Sequence, residues 1–80
     1  MKKLPSLSYK EIIKVLKKVG FIYAPKRGKG SHLAFYRVDK EGRKFLVIVP
    51  KKKNIPKGTL LAIIEQSGLD RDTFIKILKD

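Results

Sequence analysis

The chain has 80 residues, with 20 Lys or Arg against seven Asp or Glu, for a formal net charge of +13. That length is expected to make one domain, residues 1–80, with a small core, and so large a charge calls for a negative partner: nucleic acid, an acidic protein or an anionic membrane. The absence of cysteine excludes disulfides, thiolate zinc sites and thiol catalysis, and no apolar run approaches the length of a membrane span.

The charge is unevenly spread. No acid falls between Glu11 and Asp39, nor between Glu41 and Glu65, and these stretches hold seven and six basic residues. A thermophilic composition would enrich Lys and Glu together. Only three glutamates stand against the twenty cations, so binding is the better cause. The start, Met1-Lys2-Lys3-Leu4-Pro5, is basic but lacks the apolar core of a signal peptide. A cytoplasmic protein is the expectation.

Ser8 and Glu11 have capping-box spacing and open the first expected helix. Tyr9, Ile12, Ile13, Leu16 and Val19 recur on one helical face, and Gly20 is placed to end it. Lys14, Lys17 and Lys18 fall mainly on the other side, as a solvated face or accessory contact. Phe21 to Ala24 is β-prone and stops at Pro25. After a basic, glycine-rich turn, His32 to Val38 reads as a strand, with His32, Ala34 and Tyr36 on one face and Leu33 and Phe35 on the other.

Asp39-Lys40-Glu41-Gly42 marks a hairpin turn. Lys44 to Val49 is the most apolar strand, expected to be central or well covered, and Pro50 ends it. A basic loop, Lys51 to Asn54, follows. Pro56 suits the first turn of a second helix, whose buried face is read as Leu60, Leu61, Ile63 and Ile64. Ser67-Gly68-Leu69 gives it a glycine C-cap. Asp70 caps a last short helix carrying Phe74, Ile75 and Leu78. The expected fold is α+β: a two-layer α-β-β-β-α sandwich with a three-stranded antiparallel sheet, like a double-stranded-RNA-binding domain, plus a short C-terminal helix.

Any enzymatic reading turns on His32, the single histidine. It follows Lys26-Arg27-Gly28-Lys29-Gly30-Ser31. An imidazole exchanges protons near neutral pH, and the lysines and arginine beside it can hold phosphates. Gly28 and Gly30 let the backbone approach a ligand closely. In an RNase, the substrate's 2′-hydroxyl is the simplest nucleophile. His32 would take its proton or donate one to the leaving oxygen, and nearby lysines would stabilise the charge on phosphorus. One histidine leaves the second proton transfer to a lysine, a tyrosine, water or no group at all. A histidine at a strand end with no role is the plain alternative. The Ser31 hydroxyl can equally meet a phosphate or bond its own turn.

The second basic element is Lys51-Lys52-Lys53 with Lys57, just before a helix N-terminus, where phosphate contact is favoured over a merely solvated loop. Tyr23 and Tyr36 are read as sheet packing rather than base stacking. The acids are scattered, so neither a two-metal carboxylate centre nor a zinc site is expected. No cofactor is called for.

Several segments together resemble the HicA toxin family. They are Val19-Gly20-Phe21 at the end of the first helix, Gly30-Ser31-His32 leading into Leu33-Ala34-Phe35-Tyr36, and the Asp39 to Gly42 turn. Val47-Ile48-Val49-Pro50, Ile55-Pro56-Lys57-Gly58-Thr59-Leu60, Ile63-Ile64 and Ser67-Gly68-Leu69 complete the pattern. The resemblance implies the toxin of a type II toxin–antitoxin system. Such a toxin is a ribosome-independent endoribonuclease that cuts mRNA, with a double-stranded-RNA-binding-domain fold. It implies His32 as the catalytic histidine, and an acidic HicB antitoxin that covers the site. Where many members carry a further histidine, this chain has Leu33 and lysines. RNA binding is assigned to Lys26, Arg27, Lys29, Gly30, Ser31, Lys51, Lys52, Lys53 and Lys57. A non-catalytic, basic RNA-binding module of the same fold is the alternative.

Overall fold

The computed structural model describes residues 6–80, so the basic start from Met1 to Pro5 lies outside the described residues. Helix α1 spans Tyr9–Lys18 and opens with the expected capping box. The Ser8 N–H donates to Glu11 Oε1 (3.0 Å), and the Glu11 N–H donates to Ser8 Oγ (3.5 Å). The helix buries Ile12, Val15 and Leu16. Val15, left off the stripe read from sequence, is part of the core, while Tyr9, Ile13 and Val19 pack at its margin.

Strand β1 is only Ile22–Tyr23, shorter than the β-prone run, because Phe21 turns inward to the core. Strands β2 (His32–Val38) and β3 (Lys44–Pro50) form a long antiparallel hairpin, and the sheet order is β1-β2-β3. The central strand is therefore β2. Strand β3, the most apolar, lies at an edge and is covered on one side. Its Val47 and Val49 face the helices together with Phe35. On its outer edge the Ile48 N–H donates to the Gln66 side-chain oxygen (3.3 Å).

The hairpin loop runs one residue past the expected turn. Asp39 Oδ1 accepts from the backbone N–H groups of Glu41 and Arg43, both at 2.9 Å. The Arg43 guanidinium closes on the same carboxylate at 2.8 Å. Burial pushes the Asp39 pKa up, but the Arg43 and Glu41 N–H groups and the Arg43 cation outweigh it, and the net shift is downward.

Helix α2 is Lys57–Ser67 and buries Leu60, Ile63, Ile64 and Ser67. Pro56 is its N-cap rather than a first-turn residue, and Leu61 is partly exposed. The helix packs through Leu60, Ile63, Ile64 and Ser67, and Leu61, one step of about 100° round from Leu60, falls at the margin of that face. Gly68 closes α2 in the left-handed conformation. Helix α3 is Arg71–Lys79, capped by Asp70, whose side chain accepts from the Thr73 N–H (2.7 Å). Phe74 is fully buried, and α3 packs on α1. The Lys18 ammonium, on the face read from sequence as solvated or an accessory contact, is exposed and donates to the backbone oxygens of Asp80 (2.6 Å) and Ile77 (3.4 Å). It thereby ties the end of α1 to the negative end of α3.

Candidate functional site

His32 opens β2, paired in register with Pro50 at the end of β3. This pairing decides where the two basic segments meet. One step beyond it, the Lys51 N–H donates to the Ser31 carbonyl at 2.7 Å. The Gly30-Ser31-His32 turn and the Lys51-Lys52-Lys53 loop are thus laced to each other by main-chain hydrogen bonding.

A third segment joins them. The Tyr9 N–H at the start of α1 donates to the Lys52 carbonyl (3.0 Å), and the Ile55 N–H donates to the Leu7 carbonyl (2.8 Å). The loop before β2, the loop after β3 and the entry to α1 therefore share one end of the molecule. Lys26, Arg27, Lys29, Gly30, Ser31, His32, Lys51, Lys52, Lys53 and Lys57 are all exposed. Sequence spacing alone does not join residues 26–32 to residues 51–57; strand register does.

The turn itself is held closely. The Arg27 N–H donates to the Ala24 carbonyl (3.1 Å) and the His32 N–H to the Lys29 carbonyl (3.0 Å). Gly28 lies so near β2 that a Cβ there would fall 2.4 Å from the His32 carbonyl oxygen. Its close approach is to the protein's own backbone, not to a ligand as the sequence suggested. Gly30 is the freer glycine. It has φ +59° and nothing within 4 Å of a would-be Cβ, so it supplies the left-handed step that delivers Ser31 and His32 to the surface.

Among the described residues, neither the His32 ring nor the Ser31 hydroxyl has a protein hydrogen-bond partner, so both face solvent. The expected alternative for Ser31, a hydroxyl bonded to its own turn, is not formed. The carboxylate at this end, Glu11, is engaged in the α1 capping box. No group of three His, Asp or Glu gathers among the described residues. Helix α2 begins without a side-chain cap and without an acid in its first turn. Its first N–H groups and the positive end of its dipole are thus left facing the basic loop.

Comparison with protein families matches residues 9–69 to the HicA toxin of bacterial toxin-antitoxin systems. The chain belongs to the HicA toxin family. The match runs from the first residue of α1 to the residue after the α2 cap, so it takes in the whole sheet and both basic loops. Helix α3 lies beyond it. No curated protein gives a match. As a HicA family member the chain is the toxin of a toxin–antitoxin pair, and an antitoxin partner goes with that role. No helix among the described residues is long and apolar enough to cross a membrane.

Proposed function

We propose that this toxin is a metal-independent endoribonuclease of the cytoplasm that cuts mRNA with His32, its 80 residues acting as one domain. A HicB-like antitoxin with an acidic surface covers the site. The observation that carries this reading is the register that brings His32, Ser31 and the Lys51 to Lys53 loop to one exposed end.

In the chemistry this arrangement supports, Lys26, Arg27, Lys29 and the Lys51 to Lys53 loop hold the RNA backbone, with Lys57 at the mouth of α2. The 2′-hydroxyl attacks the adjacent phosphorus and the bond to the 5′-oxygen breaks. The products are a 2′,3′-cyclic phosphate and a free 5′-hydroxyl. His32 takes the 2′-hydroxyl proton or delivers one to the departing oxygen, and a lysine, a tyrosine or water performs the other transfer. The lysine ammonium groups stabilise the charge that builds on the non-bridging oxygens. The free Ser31 hydroxyl and the Gly30 turn shape the approach of the phosphate.

One observation favours a second reading. Among the described residues no carboxylate orients the His32 ring, as expected if the site only binds RNA. A single experiment separates the two: purified protein and a defined RNA in EDTA, alongside His32→Ala. Cleavage by the native chain that survives the chelator and falls at least ~10²-fold in the variant, leaving cyclic phosphate ends, supports the RNase. Tight binding without cutting by either protein supports the binding module.

A further inference from the structure

Among the described residues, the sheet has one face that no helix covers. Alternation along β2 puts Leu33, Phe35 and Arg37 toward the helices and His32, Ala34, Tyr36 and Val38 on the other side, where the small Ala34 is buried beneath its neighbours and the larger side chains reach solvent. Register extends this second set across the sheet: Tyr36 pairs with Ile22 of β1 and with Leu46 of β3. A row Ile22–Tyr36–Leu46 therefore crosses all three strands, with Tyr36 half-buried at its centre. Its flanks are open to water, Ile22 63% exposed and Leu46 37%, and Val38 beside them is 47% exposed. Apolar side chains grouped and exposed in this way mark a binding surface more often than scattered ones do.

Three features indicate the occupant. The face carries no acid among the described residues, and its basic members are His32 and, opposite Val38, Lys44. It is centred on an aromatic ring, the side chain on which unpaired bases stack whatever their identity. It is also the face of His32. Tyr36 stands four residues further along the same strand, about 13 Å away at strand rise, a reach of roughly two nucleotides of unpaired RNA.

We infer that the Ile22–Tyr36–Leu46 row is a base-stacking platform and that the substrate is unpaired RNA laid along the open sheet face. Tyr36 holds a base near the scissile phosphate at His32, while the basic loops hold the backbone. A duplex keeps its bases stacked on one another and cannot offer one to Tyr36. In-line attack by a 2′-hydroxyl likewise needs a backbone freer than the A-form helix. This inference rests on the RNA reading above: the stacking of an unpaired base needs RNA binding alone, while the place of the scissile phosphate needs the cleavage as well.

The test uses the full chain carrying His32→Ala, so that binding is read without cutting. Affinity for an unpaired and a fully paired oligoribonucleotide is measured over a range of salt. Adding Tyr36→Ala should weaken the unpaired RNA about tenfold and leave the salt slope unchanged, because no phosphate contact is lost. Tyr36→Phe should restore it, and Leu46→Gln should weaken it less. Thermal melts confirm that each variant is folded. Equal affinity with and without Tyr36→Ala overturns the platform, as does an equal loss on paired RNA. Unchanged RNA binding with lost affinity for an acidic antitoxin also overturns it, and makes the face a protein dock. Cleavage by the histidine-bearing chain is scored separately. If that chain never cuts, the RNase reading falls while the Tyr36 result still stands. If it cuts and Tyr36→Ala changes nothing, the platform alone falls.

Discussion

At Gly28 the addition of one methyl group has a large structural consequence, because the carbonyl of His32 already occupies the space. Neither backbone can yield without opening the turn that carries the candidate catalytic residue. Gly28→Ala should cost about 1–3 kcal/mol, the range for forcing an extra carbon into a filled site. Gly30→Ala meets no atom but must adopt φ +59°, and should cost about 1 kcal/mol. Urea midpoints for the two variants check the order. Arg37 is another residue whose setting only the structure reveals. Its guanidinium lies between the rings of Phe21 (5.4 Å) and Phe45 (5.0 Å), with Nε buried and without a hydrogen-bond partner among the described residues. A planar cation stacks there in a way that a lysine ammonium cannot.

At the scale of elements, α3 is held by its cap, its buried Phe74 and the Lys18 latch. The Thr73 N–H bonded to the Asp70 carboxylate, with help from the Thr73 side chain, holds the Asp70 pKa below its ordinary 3.8. The sign follows from that depression. The cap contributes its full stability above about pH 4 and loses it as acid drives the pH down through the lowered folded value. Asp39 shifts the same way, so the hairpin loop weakens in the same range. Asp70→Asn keeps an acceptor without the charge, and its helicity by circular dichroism should fall less steeply below pH 4 than the parent's. An identical acid profile would mean the Asp70 charge is not what holds α3.

The elements also show what the sequence discloses. The Ser8–Glu11 spacing, the glycine at 68 and the aspartate at 70 are local signals, and α1, the end of α2 and α3 lie where they point. The bounds of β2 match its alternation. The edge position of β3, the burial of Val15, the outward turn of Leu61 and the path of Lys18 depend on partners dozens of residues away, and no local pattern carries them. The site divides likewise. His32 and both basic runs are visible as residues, but their meeting depends on the His32–Pro50 register, and the exposed row around Tyr36 on knowing which sheet face the helices take.

For the whole molecule, the hairpin loop at the far end of β2 and β3 from His32 sets Asp39 and Glu41 against Lys40, Arg43 and Lys44, so the large excess of positive charge lies at the His32 end. An RNA strand should therefore be steered to the His32 end, with affinity falling steeply as salt rises. Replacing Lys51, Lys52 and Lys53 together by glutamine should reduce the slope of log affinity against log salt by about two to three. Titrations at several potassium concentrations measure it. An unchanged slope would place the RNA elsewhere on the basic surface.

The Gln66 side chain on the outer edge of β3 has a consequence for how the protein behaves when concentrated. A three-stranded sheet has two borders, and each is an invitation for a second chain to add a strand. One border here is two residues long, too short a template to hold another strand. The other has its Ile48 amide already occupied from α2. Together with a charge of +13 on every copy, these blunted borders oppose ribbon-like self-assembly through the edges of the sheet.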